Sequence, residues 1–135
     1  MKTFLPFLLG LGLLAGCASQ PAALLPEEGV KYSLENTEKF QLLDRPAQLA
    51  VACTGLQEHL DAAGRLEVVA NLKNRGPVAG LVEVRCVFQD AAGRPSGEET
   101  PWQELRLGAG DTEAVHYSAT TGLARKFTIQ VRSVR

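Results

Sequence analysis

Along most of the chain after Ala47, apolar and polar residues alternate with a period of two, which is typical of strands that are buried on one face. The apolar sides of the first three strands are formed by Leu49, Val51 and Cys53, by Leu66, Val68, Ala70 and Leu72, and by Val82, Val84, Cys86 and Phe88. Further strands are predicted over residues 102–107, 113–118 and 126–133. The chain therefore contains about six or seven short strands, each exposed to water on one side.

Turn-forming residues separate the predicted strands. The tetrapeptide Asp-Ala-Ala-Gly occurs twice, at residues 61–64 and 90–93. In each copy the aspartate can bond the backbone ahead of it and the glycine can take a positive φ, so we interpret the two copies as one hairpin turn used twice. Two more reversals are predicted at residues 74–77 and 108–111. This pattern predicts an all-β fold, an antiparallel β-sandwich of immunoglobulin-like or fibronectin-like shape, over residues 47–135.

The N-terminal residues follow a different pattern. After Met1-Lys2, the chain is rich in Leu and Phe, and no acidic residue occurs before Cys17. A basic start, a short apolar stretch and small residues at its end are typical of an export signal, here residues 1–16. The apolar stretch is shorter than the roughly 20 residues of a membrane-spanning helix. The alternative, a buried apolar helix with an incidental cysteine, does not explain the order of charge, length and small residues.

The end of this segment, Leu14-Ala15-Gly16-Cys17, resembles the lipobox of bacterial lipoproteins. The resemblance implies that the signal is cut before Cys17 and that the Cys17 thiol carries a diacylglycerol, which anchors the protein to a membrane. Two or three acyl chains give durable attachment, at about 0.8 kcal/mol per buried CH₂. Ala18, rather than an aspartate, follows the cysteine. In the enterobacterial lipoproteins that this chain resembles, that residue goes with the outer membrane, so we expect a periplasm-facing outer-membrane lipoprotein.

Residues 17–46 contain the lipidated cysteine and a predicted tether, because no sustained period of 2 or 3.6 occurs there. Residues 30–43 are nevertheless more apolar than a simple spacer. We therefore expect part of this segment to dock on the domain, as a short strand or a helical turn within residues 30–43.

The charge balance limits the classes of partner. The chain has 14 Lys and Arg against 15 Asp and Glu, a formal net charge of −1, and the signal would remove one of the lysines. Nucleic-acid binding usually requires a basic face, so we expect no nucleic-acid partner. Nor does the sequence contain a polybasic membrane-binding cluster.

Two cysteines are left once Cys17 is acylated. Cys53 and Cys86 both fall on the apolar sides of their predicted strands. An even pair in an oxidising compartment favours a disulfide between Cys53 and Cys86. Two buried thiols, or a metal or redox role, are the alternatives.

Motifs of catalysis are absent from the sequence. It has no Gly-x-Ser-x-Gly elbow, P-loop, dinucleotide fingerprint or His-Glu-x-x-His, and neither His59 nor His116 has neighbours at metal-ligand spacing. We therefore interpret both histidines as surface residues, and we expect no catalytic residue, no cofactor and no metal. Trp102 is interpreted as a side chain that fills space in the core or at its rim. The alternative is that its ring is a surface on which a ligand stacks. The dispersed acids are interpreted as solvating residues; they are Asp90, Glu98, Glu99 and Glu104.

One group of apolar residues could belong to a surface that binds a partner. Val69 and Val87 fall on the polar sides of strands that could be neighbours, and Leu56 and Leu60 precede them. Together they could form a docking patch. The alternative is that the tether or residues 54–60 cover them.

Four blocks of the sequence resemble one known family. They are residues 66–74 (LEVVANLKN), 88–93 (FQDAAG), 101–105 (PWQEL) and 124–132 (ARKFTIQVR). With the lipobox, they resemble the YcfL-like family of periplasmic lipoproteins over residues 47–135. The chain departs from the family at residues 86–88, where the family has an aromatic-rich strand, and at residues 118–120, where it has Ala-Pro. The resemblance implies a β-sandwich, but no catalytic residue and no established activity.

Three functions follow as hypotheses. The first is a non-enzymatic, membrane-tethered β-sandwich that binds a protein or another component of the envelope. The second is an accessory structural lipoprotein of an envelope assembly or secretion apparatus. The third, a small hydrolase or metal carrier, would require His59 or His116 beside Asp or Glu in a cleft.

Overall fold

The structure is a computed structural model, and it describes residues 36–134. Within that range the chain forms eight strands and one short helix. The elements are β1 (Phe40–Leu42), α1 (Arg45–Ala50), β2 (Val51–Leu60), β3 (Leu66–Asn74), β4 (Gly80–Gln89), β5 (Pro95–Glu99), β6 (Gln103–Leu107), β7 (Thr112–Ser118) and β8 (Lys126–Ser133). The predicted export signal, Cys17 and residues 17–35 of the predicted tether lie outside the described residues. No helix within residues 36–134 has the length and apolar character that crossing a membrane requires.

Two sheets make up the described domain. One has the order β1-β8-β4, with both β5 and β6 on the remaining edge of β4, and the other has the order β2-β3-β7. Strand pairs are antiparallel except for β1 and β8, which run parallel. The predicted all-β sandwich is confirmed. The eight strands of residues 36–134 exceed the predicted six or seven because β1 and β5 carry no long alternating pattern.

The core lies between the two sheets and contains the apolar sides of the predicted strands. In β3, β4 and β8 the alternating apolar residues are buried, whereas most of the intervening polar residues are only half-buried. Burial of each aliphatic or aromatic side chain contributes about 1.5 to 3 kcal/mol relative to its exposure. The largest completely enclosed side chains include Phe40, Phe88, Leu72, Leu107 and Ile129.

The two Asp-Ala-Ala-Gly turns have the same geometry, as predicted. Asp61 Oδ1 accepts hydrogen bonds from the backbone N–H of Ala63 (2.8 Å) and Arg65 (2.9 Å). In the second copy, Asp90 Oδ1 accepts from the residues at the same two offsets, at 2.9 and 3.0 Å. The glycines have φ of 77° and 82°, a region that disfavours residues with a Cβ atom. These turns join β2 to β3 and β4 to β5.

The strand that was predicted to include Leu49 begins at Val51 instead, so this part of the prediction is wrong. Asp44 Oδ1 accepts a hydrogen bond from the Ala47 N–H at 2.9 Å, and Pro46 occupies the start of the helix, so residues 45–50 form α1. An N-cap aspartate followed by proline is a strong helix start, which here overrides the period of two. Leu49 therefore lies on a helix and is exposed, and β2 begins at Val51.

The chain enters the domain along the outer edge of β1. The Thr37 N–H donates to the Phe40 carbonyl at 2.8 Å, and the Leu42 N–H donates to Asn36 Oδ1 at 3.3 Å. Residue 36 therefore lies beside the end of β1, next to α1. β1 confirms the expectation of a short strand within residues 30–43. We call this end of the sandwich, where β1, β3, β6 and β8 finish, the helical end. The end that carries the two Asp-Ala-Ala-Gly turns is the turn end.

β5 and β6 pair with consecutive halves of the same edge of β4. β5 pairs near Val87 and β6 pairs with residues 80–84, so the two strands are separated at the level of Cys86. At the break, the Cys86 N–H donates to Thr100 Oγ1 at 2.8 Å, and the Thr100 N–H donates to the Cys86 carbonyl at 3.0 Å. The interruption brings Trp102 to the outer side of the sheet.

Candidate interaction surface

Two arginines and one tryptophan form a cluster on the outer face of the five-stranded sheet. Arg85 lies on β4 and Arg132 on β8, at positions whose side chains point away from the core. Their guanidinium carbons lie 4.6 and 3.9 Å from the centroid of the Trp102 ring. Such cation–π contacts contribute about 0.5 to 2 kcal/mol each, depending on exposure. We call these three residues the Arg-Trp cluster.

Both arginines of the cluster also contact acidic or amide side chains of neighbouring strands. Arg132 Nε contacts Glu83 Oε2 at 2.6 Å, and the two side chains are only 24% and 18% exposed. Arg85 Nε donates to Gln130 Oε1 at 2.8 Å, and its Nη1 lies 3.3 Å from a Glu99 oxygen. The cluster therefore has an acidic partner for each of its positive charges. It is a rigid, half-buried surface of an aromatic ring and planar cations.

Trp102 was recognisable in the sequence as a candidate, but its two arginine neighbours were not. The ring is half-buried at the rim of the sheet, which agrees with a rim plug and not with a place in the core. Arg85 and Arg132 were missed because they lie far from Trp102 in the sequence. Their polar positions in alternating strands were visible, but only the pairing of β4 with β8 places them side by side.

The same face carries a polar depression toward the turn end. Its volume is about 280 Å³, and a second depression between β5 and the end of β7 measures about 210 Å³. Small-molecule sites usually have volumes of about 300 to 1,000 Å³ and apolar walls. The first is lined by Glu38, Gln41, Gln89, Gly93, Lys126 and Thr128. A shallow polar surface of this kind fits a macromolecular contact better than an enclosed ligand.

Glu98, one of the acids interpreted as solvating, holds the connection between β7 and β8. Its Oε1 accepts hydrogen bonds from the backbone N–H groups of Thr120 and Thr121, both at 2.8 Å, and from the Thr120 hydroxyl. Burial acts to raise the pKa of Glu98, but these hydrogen bonds outweigh it and hold the pKa below its usual value. The carboxylate therefore stabilises the folded state while it is ionised.

We expect Glu98→Gln to lower the free energy of unfolding by about 1 kcal/mol at neutral pH, because the charge-assisted hydrogen bonds become neutral ones. Since the folded-state pKa is lowered, this contribution is complete above the pKa of the unfolded chain and is lost as the pH falls through the folded-state pKa. Urea titrations of both proteins from neutral to acidic pH should show the difference shrinking. A difference that is constant with pH would contradict this role, and Glu104→Gln is the matched control on an exposed strand position.

The predicted disulfide is not formed in the structure. Cys53 on β2 and Cys86 on β4 belong to different sheets, and both are buried thiols. Burial raises the pKa of the Cys86 thiol to about 12, so it stays protonated at physiological pH. The bridge remains a prediction that chemical labelling can test.

Neither histidine is part of a metal-binding group. His59 Nε2 lies 2.7 Å from Glu67 Oε2 on the outer face of the three-stranded sheet, and its side chain is 61% exposed. His116 lies on β7 opposite Val69, on the same exposed face. Within residues 36–134 no three His, Cys, Asp or Glu side chains converge as metal ligands would.

The patch of Val69, Val87, Leu56 and Leu60, one of the two hypotheses for these residues, is not formed in the structure. Val69 lies on the outer face of one sheet and Val87 on the outer face of the other, on opposite sides of the sandwich. β3 and β4 follow one another in the chain but belong to different sheets. Leu56 packs against the core instead.

Comparison with known proteins supports the fold. No family model matches the chain, and no curated protein matches its sequence. The structure is similar to that of cj0090 from Campylobacter jejuni, with a TM-score of 0.60 and 21% identity, over 73% of this chain and 100% of that one. It is also similar to a DUF1425 family member from Shewanella sp. pv-4, with a TM-score of 0.58 and 17% identity, over 63% of this chain and 79% of that one. At these identities the similarity shows the fold alone.

Proposed function

We propose that this chain is a YcfL-like, membrane-tethered lipoprotein of the bacterial envelope whose β-sandwich is a non-enzymatic interaction module. The anchor is the lipid on Cys17, and the domain faces the periplasm from the outer membrane. The observation that carries the interaction role is the Arg-Trp cluster on the outer face of the five-stranded sheet.

Composition and rigidity make this face suited to a protein partner. Tryptophan and arginine are enriched among the residues that dominate binding energy at protein interfaces. Because Arg85 and Arg132 are already held by Gln130 and Glu83, their side chains lose little conformational freedom when a partner docks. The face is also broad and shallow, which suits a folded protein surface.

The experiment is site-specific photo-crosslinking in cells. A photoreactive residue at Glu104, the exposed neighbour of Glu83 on this face, should form a covalent adduct with a partner protein. The control position is Gln57, which is equally exposed on the outer face of the other sheet. We expect Trp102→Ala to reduce the adduct at Glu104 at least tenfold, in line with an aromatic hot spot of about 2 kcal/mol that becomes covered by the partner.

The crosslinking result distinguishes an interaction module from an accessory structural lipoprotein of an envelope apparatus. A single partner lost with Trp102→Ala supports an interaction module, whereas several subunits of one apparatus would indicate the structural alternative. Equal adducts at Glu104 and Gln57, or an adduct that persists in the Trp102→Ala protein, would contradict the proposed surface. Thermal unfolding of the variant confirms that the loss does not arise from misfolding.

A further inference from the structure

Exposed aliphatic side chains are concentrated at the helical end. Among residues 36–134, seven large hydrophobic residues are exposed, and two of them, Leu60 and Leu123, lie at the turn end. The other five lie at the helical end; they are Leu43, Leu49, Val78, Leu81 and Val134. We call these five residues the aliphatic end.

The backbone pairing brings members of the aliphatic end together. The Leu43 N–H donates to the Val131 carbonyl at 2.8 Å, next to the end of β8. Val82 pairs with Ser133, so Leu81, near the start of β4, lies close to Val134, the residue that follows the end of β8. The Leu81 side chain shares the outward direction of Glu83, two residues later on β4.

The remaining members are held by polar contacts at the same end. Asp44 Oδ2 accepts hydrogen bonds from the Ser133 N–H (2.9 Å) and hydroxyl (2.8 Å), which fixes the start of the helix that carries Leu49. The Val78 carbonyl accepts from Asn74 Nδ2 at 2.8 Å, so the loop before β4 is held as well. The aliphatic side chains are therefore presented on an ordered surface.

The chain toward the lipid anchor leaves the domain at this end. Asn36 lies beside Leu42, and the preceding residues lead back to Cys17. Residues 17–35 could span at most about 65 Å when fully extended. The attachment point lies nearer to the helical end than to the turn end, which favours an orientation with the helical end toward the membrane.

The charges at this end fit an anionic lipid surface. Arg45, Lys73 and Arg106 are exposed there, against two exposed acids, Asp111 and Glu113, and the Asp44 carboxylate is occupied by hydrogen bonds. A basic side chain near an anionic bilayer contributes about 1 kcal/mol to binding. Exposed aliphatic side chains together with basic ones are typical of surfaces that lie in the membrane interface.

We propose that the aliphatic end rests on the anionic lipid surface of the membrane that holds the anchor, with Val78 and Leu81 in the interface. This inference rests on the proposed lipid anchor at Cys17. It orients the domain so that the strands rise from the membrane and the Arg-Trp cluster stays accessible from the side.

The first test uses the mature chain with Cys17→Ser, which lacks the anchor, and vesicles of phosphatidylethanolamine and phosphatidylglycerol. We expect this chain to co-sediment weakly with the vesicles. The double variant Val78→Ser, Leu81→Ser should reduce the partition coefficient about tenfold. The matched control, Leu60→Ser with Leu123→Ser, removes similarly exposed leucines from the turn end and should leave it unchanged. No vesicle binding, or an equal loss in both double variants, would overturn the proposal.

The second test separates the orientation from the anchor. A fluorophore placed by Val78→Cys or by Leu123→Cys is followed in the full lipidated protein, in vesicles that contain brominated lipids. We expect quenching at residue 78 and none at residue 123. Equal or absent quenching in protein whose mass includes the acyl chains would overturn the orientation and leave the anchor intact. A mass without acyl chains would instead contradict the anchor.

Discussion

Replacing Asn74 with alanine is expected to lower the free energy of unfolding by about 2 to 4 kcal/mol, because three hydrogen bonds of a buried side chain are lost together. Asn74 is only 5% exposed. Its Nδ2 donates to the carbonyls of Val78 (2.8 Å) and Leu107 (3.1 Å), and its Oδ1 accepts from the Gly76 N–H (2.8 Å). One side chain thus joins the ends of β3 and β6 to the loop before β4.

The measurement is urea unfolding followed by circular dichroism. Asn71→Ala is the control, because Asn71 lies three residues earlier on the same strand and points to the outer face. We expect the control to change stability by less than about 0.5 kcal/mol. Asn74→Asp keeps the acceptor but loses both donors, and its unpaired buried charge should make it at least as destabilising as alanine at neutral pH. A loss below about 1 kcal/mol for Asn74→Ala would mean that water replaces these contacts.

The strands with continuous alternation were predictable from the sequence, and β3, β4 and β8 illustrate why. Each crosses the whole core with one face against the other sheet, so burial imposes the period of two along its length. The two Asp-Ala-Ala-Gly turns were predictable as well, because their geometry depends only on bonds between residues at most four positions apart.

Other elements depend on the assembled fold. β5 has the sequence PSGEE, which has no apolar side, and it is a strand because it pairs with the free edge of β4. β1 is three residues long and is positioned by parallel pairing with β8, at the other end of the chain. Neither pairing leaves a local pattern that sequence analysis could detect.

The Arg-Trp cluster could not be predicted from the sequence for the same reason. Its three side chains come from β4, β8 and the break between β5 and β6, and only the order of strands in the sheet brings them into contact. The hypothetical patch of Val69 and Val87 shows the opposite error. Two strands that are consecutive in the sequence were considered as possible neighbours in one sheet. Here the connection between β3 and β4 crosses from one sheet to the other.

The second large effect is expected for Cys17→Ser, which should move the protein from the membrane fraction to the soluble fraction after a high-salt wash. Two or three acyl chains make desorption negligible, since each buried CH₂ contributes about 0.8 kcal/mol. Without them, only the weak contact of the aliphatic end remains, and salt screens its basic residues. Cys53→Ala is the matched control and should stay in the membrane fraction. Membrane retention after the wash of Cys17→Ser protein whose mass shows that residues 1–16 have been removed would contradict the anchor.

Intact mass of the membrane-extracted wild-type protein tests the same anchor directly, and it also decides between the two states of the remaining cysteines. The expected mass is that of the chain from Cys17 with two or three acyl groups. Alkylation of the unfolded protein at Cys53 and Cys86 only after reduction would establish the predicted bridge. Alkylation at both without reduction would show that the buried thiols of the structure persist in an oxidising compartment. Because Cys86 is completely enclosed and its pKa is raised to about 12, burial would then protect it from oxidation.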